Sequence, residues 1–159
     1  MSTATDTVFR ATPALTESLQ RVLVDLVALH LQAKQAHWTI VGTNFRDLHL
    51  QLDELVDVTR EASDTIAERM RALDAVPDAR PGTVAAHATI GDLDAAEIDT
   101  AHAADLVTAM IRRAAGTVRQ IHDTVDAADP TSADLLHTVL HDLEKQAWLI
   151  GSETRTPRR

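Results

Sequence analysis

Residues 45–73 read FRDLHLQLDELVDVTREASDTIAERMRAL, and their spacing decides the fold. Phe45, Leu48, Leu52, Leu55, Thr59, Ala62, Ile66, Met70 and Leu73 recur every three or four positions, the period of a helix that buries one stripe. This helix is predicted to end before Pro77. Upstream, Thr12-Pro13 sets a cap residue before a proline at the first helical position, and Leu19, Leu23, Leu26, His30, Ala33 and His37 form another stripe. Val22, Val24, Val27, Leu29 and Leu31 make that helix apolar almost all round, so an outward apolar surface is expected that a second chain would cover. Gly42, Thr43 and Asn44 form the short connection, with Asn44 as a cap residue.

Downstream, Ala103, Val107, Met110, Ala114, Val118, Ile121 and Val125 mark a third helix from about Thr100 to Ala127. A fourth, with Leu136, Val139, Leu143, Ala147 and Ile150, is predicted from Thr131 to Gly151, Thr131 and Asp134 forming a capping-box-like pair after Pro130. Residues 75–99 contain Pro77, Pro81, Gly82 and Gly91 and read as a crossover, with one short helix near 92–97, that joins opposite ends of a bundle. The fold class is therefore all-α: a four-helix bundle with a long crossover between helices two and three. One domain is expected over 1–159, with an amino-terminal arm at 1–12 and a basic tail at 152–159.

Composition narrows the chemistry. The absence of cysteine removes disulfides, thiolate metal sites and cysteine nucleophiles. Aromatic residues make up 3% of the 159 positions and tyrosine is absent, which disfavours an all-β fold. A net charge of −9 gives the body no bulk attraction for nucleic acid. The first 20 residues lack a basic and an apolar targeting region, and no apolar run approaches a membrane span, so a cytoplasmic protein without membrane contact is expected.

The density of metal-binding groups lies between His37 and Arg69. His49 with Asp53, and Asp64 with Glu68, stand four residues apart, which puts each pair on one helix face. Imidazole and carboxylate donors without sulfur suit a divalent first-row metal such as iron. Measured from Leu48 at about 100° per residue, these four groups fall between about 100° and 200°, away from the apolar stripe. An interior di-iron centre is disfavoured on that ground, and because no Glu stands three residues before a His. His37 and His49 flank the turn symmetrically and should meet at one end of the helix pair. Asp64 lies roughly 16 Å further along from Asp53, too far to share an ion within the chain. A two-fold axis would bring the first cluster of one chain against the second cluster of another.

His37-Trp38, Gly42, Phe45, His49-x-x-x-Asp53 and Asp64-x-x-Ala67-Glu68-Arg69, with Asp142-Leu143-Glu144-Lys145 and Trp148, resemble the Dps family of mini-ferritins, the DNA-binding proteins from starved cells, over nearly the whole chain. The resemblance implies a ferritin-like bundle assembled as a homo-dodecameric shell. It implies intersubunit ferroxidase sites with His37, His49 and Asp53 from one chain and Asp64 and Glu68 from its mate. It implies oxidation of Fe(II) to Fe(III), preferably by hydrogen peroxide, storage of ferric mineral, and protection against oxidative damage. It also implies an acidic pore for incoming iron near Asp126, Asp129 and Asp134, with helix capping as the other reading of Asp134. Trp38 reads as an interface packing residue, and Arg69 as an interface ion-pair partner. Asp57 and Glu61 read as groups behind the ligands or as partners of Arg60 and Arg69. His30 reads as a core or interface residue. His122, His137 and His141 have no ligand at short spacing beyond an incidental Asp134/His137 pair. The alternative function is non-specific DNA binding that protects the nucleoid, carried by Arg155, Arg158 and Arg159 in the tail.

Overall fold

A computed structural model describes residues 8–159 of the chain; residues 1–7 of the expected amino-terminal arm lie outside the described residues. The elements run α1 (Pro13–Thr39), β1 (Ile40–Val41), α2 (Phe45–Ala72), α3 (Pro81–His87), β2 (Ile98–Asp99), α4 (Thr100–Ala128) and α5 (Pro130–Gly151). Thr12 caps α1 by accepting from the Leu15 amide, with Pro13 next in the first turn. Leu15, Leu19, Leu26, Leu52, Leu55, Ile66, Ile111 and Leu136 are essentially fully buried in one apolar cluster shared by the four long helices. This is an all-α four-helix bundle with a long crossover between its second and third long helices. No helix among the described residues is long and apolar enough to cross a membrane.

The course of the chain is up, down, down, up. α2 is 28 residues long, roughly 42 Å, and delivers the chain to the far end of the bundle. The crossover climbs back, and β2 pairs in parallel with β1, Ile40 opposite Ile98, beside the α1–α2 corner. α4 then descends and α5 returns, so the carboxyl end of α5 reaches that corner, where Asn44 Nδ2 donates to Glu153 Oε1 at 2.7 Å. Asn44 thus spends its side chain on Glu153, just beyond α5, rather than on capping α2, and it sits in the left-handed region at φ 61°.

Three side chains of α1 lash the crossover down. Gln20 exchanges hydrogen bonds with the Asp78 backbone (2.7 and 2.9 Å), and Gln32 donates to Asp92 and accepts from the Leu93 amide (2.7 and 2.8 Å). Asp25, 1% exposed, accepts from the Thr89 amide, the Thr89 hydroxyl and the Thr117 hydroxyl of α4. Residues 92–97 form no helix, contrary to the sequence expectation; Gln32 of α1 holds the Asp92 side chain and the Leu93 amide at the start of that stretch. The short helix is α3, begun by Pro81 and braced by Asp78, which accepts from Arg80 and Thr83. Val22 and Val24 are buried within the chain, so less of α1 is left for a second chain than its composition suggested, with Leu31 exposed and Val27 half-buried.

Candidate metal centre

His37 lies in the last turn of α1, and the geometry of that turn builds the first half of the candidate site. The carbonyls of the last helical turn lack intrahelical partners. His49 Nδ1 donates to one of them, the carbonyl of His37, at 2.9 Å, and His37 Nδ1 donates to the carbonyl of His49 at 3.0 Å. A carbonyl only accepts, so both Nδ1 atoms carry the proton and both Nε2 atoms keep a free lone pair. The rings stack with centroids 3.6 Å apart, and Phe45 stacks on His49 at 5.0 Å, which fixes all three planes. This is the outer support that orients imidazoles for metal binding.

Asp53 joins the pair. Its Oδ1 lies 3.2 Å from His37 Nδ1 and 2.5 Å from the ammonium of Lys34, one turn before His37 on α1. The Lys34 hydrogen bond holds the Asp53 carboxyl below its ordinary range; desolvation opposes it, and the charge of His37 adds a smaller lowering effect. Sequence reasoning passed over Lys34. Its signal was positional: Lys34 and His37 share a face at i, i+3.

Asp64 and Glu68 are exposed on the same continuous helix, about three and four turns beyond Asp53, and do not meet the His37 group within the chain. Among the described residues no three metal-binding side chains converge. Asp64 lines a cavity of about 550 Å³ between α1 and α2 with Asp57, Glu61, Arg60, Leu23 and Val27. Trp38, next to His37 in sequence, is 68% exposed, and Phe45, stacked on His49, is 43% exposed. His30, half-buried beside Arg60 and Lys34, has its pKa lowered by burial first and by those two cations next.

The acidic trio is not one group. Asp129 is 7% exposed and caps α5 by accepting from the Ser132 amide and hydroxyl; it also pairs with Arg69 at 2.7 Å. This corrects two expectations. The Thr131/Asp134 box does not cap α5, because Asp129 does, and Arg69 finds its acid inside the chain rather than across an interface. Burial would raise the Asp129 pKa, but Ser132 and Arg69 outweigh it and hold the carboxyl below its ordinary value. Asp126 and Asp134 are exposed on the flanking turns. At the other end of the bundle Arg155 and Arg158 line a cavity of about 500 Å³ with Arg112 and Thr108, while Arg159 is exposed.

The comparisons with known proteins agree with this architecture. The ferritin-like domain family matches residues 16–159. DNA protection during starvation protein 2 of Deinococcus radiodurans is 33% identical over 132 residues, covering 83% of this chain and 55% of that protein. The DNA protection during starvation protein of Mycolicibacterium smegmatis is 34% identical over 137 residues, covering 83% of this chain and 72% of its own. The chain spans only 50% to 65% of three such relatives. The crystal structure of Dps92 from Deinococcus radiodurans superposes with a TM-score of 0.85 at 31% identity, covering 87% of this chain and 84% of that one. With a ferritin-like bundle, a locked histidine pair and relatives of this kind, the chain belongs to the Dps family of mini-ferritins.

Proposed function

We propose that the protein is a ferroxidase and iron-storing mini-ferritin that works as a homo-dodecamer in the cytoplasm. In this reading His37, His49 and Asp53 of one chain and Asp64 and Glu68 of a two-fold mate hold Fe(II) as substrate. The observation that carries it is the reciprocal imidazole-to-carbonyl locking of His37 and His49, which stacks the two rings with both Nε2 lone pairs free, while Asp53 lies 3.2 Å from His37 Nδ1. The exposed carboxylates of Asp64 and Glu68, on the same side of α2, supply the donors the first cluster lacks. Two ferrous ions each give one electron to hydrogen peroxide, whose O–O bond breaks; water contributes the remaining oxygen of the ferric oxyhydroxide, and protons leave to solvent. Carboxylates favour this direction because they stabilise the harder ferric ion.

Anaerobic Fe(II) titration followed by peroxide, with ferric absorbance as the readout, tests the proposal. The Asp64→Ala, Glu68→Ala double variant should lose rapid oxidation while keeping its size in solution; oxidation at the wild-type rate would overturn the reading. Twelve chains of 17.3 kDa give a particle of about 208 kDa.

A second reading, DNA protection through the tail, has its own observation. Arg112, Arg155 and Arg158 share a cavity with the buried Thr108, whose hydroxyl has no hydrogen-bond partner among the described residues, a donor set for phosphate oxygens. Asp105, which accepts from Thr154 at 2.5 Å, opposes it. A chain ending at Gly151 should then retard DNA less than the full chain, with the difference vanishing in high salt; equal retardation would remove the tail from the account.

A further inference from the structure

A second pair of histidines faces one another where the sequence offered no partner at short spacing. His122 on α4 and His137 on α5 stand seven residues before and eight after Asp129, on the two arms of the α4–α5 corner. Their Nε2 atoms are 2.7 Å apart and their rings lie 4.7 Å apart at 27°. Behind each ring stands a carboxylate: Asp123 Oδ1 is 3.3 Å from His122 Nδ1, and Asp134 Oδ1 is 3.6 Å from His137 Nδ1.

That arrangement has an electrostatic consequence. A carboxylate behind an imidazole draws the ring proton to Nδ1 and directs the lone pair of Nε2 forward, as in carboxylate–histidine–metal triads. The 2.7 Å contact is an N–H···N hydrogen bond in which one Nε2 carries the proton and the other accepts it. A shared cation displaces that proton and takes both lone pairs. A zinc-like ion with bonds of about 2.0–2.1 Å in a tetrahedral arrangement asks for nitrogens about 3.3 Å apart, so the pair needs to open by only about 0.6 Å. The side chain of His122 is 25% exposed and that of His137 60%, so water can reach the remaining coordination positions.

We infer that His122 and His137 form a bis-imidazole site for a divalent first-row transition metal, held within a single chain and separate from the His37 centre. Imidazole donors with flanking carboxylates and no sulfur suit zinc, copper, nickel and ferrous ions rather than calcium or magnesium. Asp126, exposed one turn beyond His122, adds negative charge on the approach. The site does not depend on the ferroxidase reading, because it needs neither a second copy nor any residue of that centre.

Zinc alone is the probe. The full-length protein, its His122→Gln and its His137→Gln variants are dialysed against zinc, bound metal is counted per chain, and crystals soaked in zinc are mapped by anomalous scattering. Both variants should bind one zinc fewer per chain than the wild type, and wild-type crystals should show an anomalous peak between the two Nε2 atoms. Both side chains lie at the surface of packed helices, so glutamine should leave the assembly and peroxide-driven iron oxidation unchanged. Equal zinc counts in all three proteins, or zinc peaks at the His37 centre only, would overturn the inference and leave the contact as an ordinary N–H···N hydrogen bond.

Discussion

Replacing Lys34 with methionine keeps the aliphatic stem and removes the one ammonium bound to the proposed iron site. Lys34 Nζ lies 2.5 Å from Asp53 Oδ1, so a cation binding to that carboxylate must either displace it or tolerate it nearby. At a separation of about 5 Å in a water-like dielectric, an ammonium and a divalent ion repel by about 1.7 kcal/mol, roughly fifteenfold in affinity. At physiological ionic strength, with a Debye length of about 8 Å, screening reduces this to about 0.9 kcal/mol, roughly fourfold. Folding stability should change little, because both side chains are about a third or more exposed (31% and 42%). Asp53 would lose its main pKa-lowering partner, but its ordinary value of about 3.9 still leaves it ionised at neutral pH. Anaerobic calorimetric titration of Fe(II) into Lys34→Met and wild type, at low and physiological salt, reads the effect directly. Tighter binding that fades with salt is expected. Unchanged or weaker binding at low salt would show that Lys34 orients Asp53 instead of competing for it.

Asp25→Ala leaves the Thr89 amide and Thr117 hydroxyl without their acceptor in the core, costing about 3 kcal/mol. Thermal melts should fall by about 6–12 °C, with Asp25→Asn losing less. Asp129 has a lowered folded-state pKa, so its contribution is complete above the unfolded value of about 3.9 and is lost as pH falls through the lower folded value. Melting curves over that acid range should therefore drop more steeply for wild type than for Asp129→Asn. Gly42 sits at φ +119°, and a Cβ there would stand 3.1 Å from Asp99 Oδ2, the cap of α4. Gly42→Ala should cost about 1–3 kcal/mol and speed amide exchange at Ala101 and His102, which a denaturation series and exchange spectra would detect.

The helix stripes were legible because burial imposes one period on each long segment, and outward placement of His49, Asp53, Asp64 and Glu68 followed from the same wheel. Local spacing could not reveal contacts made across elements. Asp129 was read only as one of three nearby acids: its pairing with Arg69 depends on α2 reaching the α4–α5 corner, whereas its capping of Ser132, from the position just before Pro130, was a local signal passed over. Asp25 went unremarked although a lone acid in VLVDLVAL is a signal of a buried tether. The short helix was sought near 92–97, where Asp and Glu are frequent, but Gln32 captures the backbone there and Pro81 starts the helix earlier. His122 and His137 are fifteen positions apart and meet only because α4 and α5 fold back on each other.

Shared construction of the iron site can be read from mixed particles. A chain carrying His37→Ala and His49→Ala is co-assembled with one carrying Asp64→Ala and Glu68→Ala, each inactive by itself. If every site takes its histidines from one chain and its distal carboxylates from another, random pairing makes half the interfaces mixed, each with one intact site. Rapid peroxide-driven iron oxidation should then return to about a quarter of the wild-type level. Mixed particles as inactive as either parent would contradict a site built by two chains.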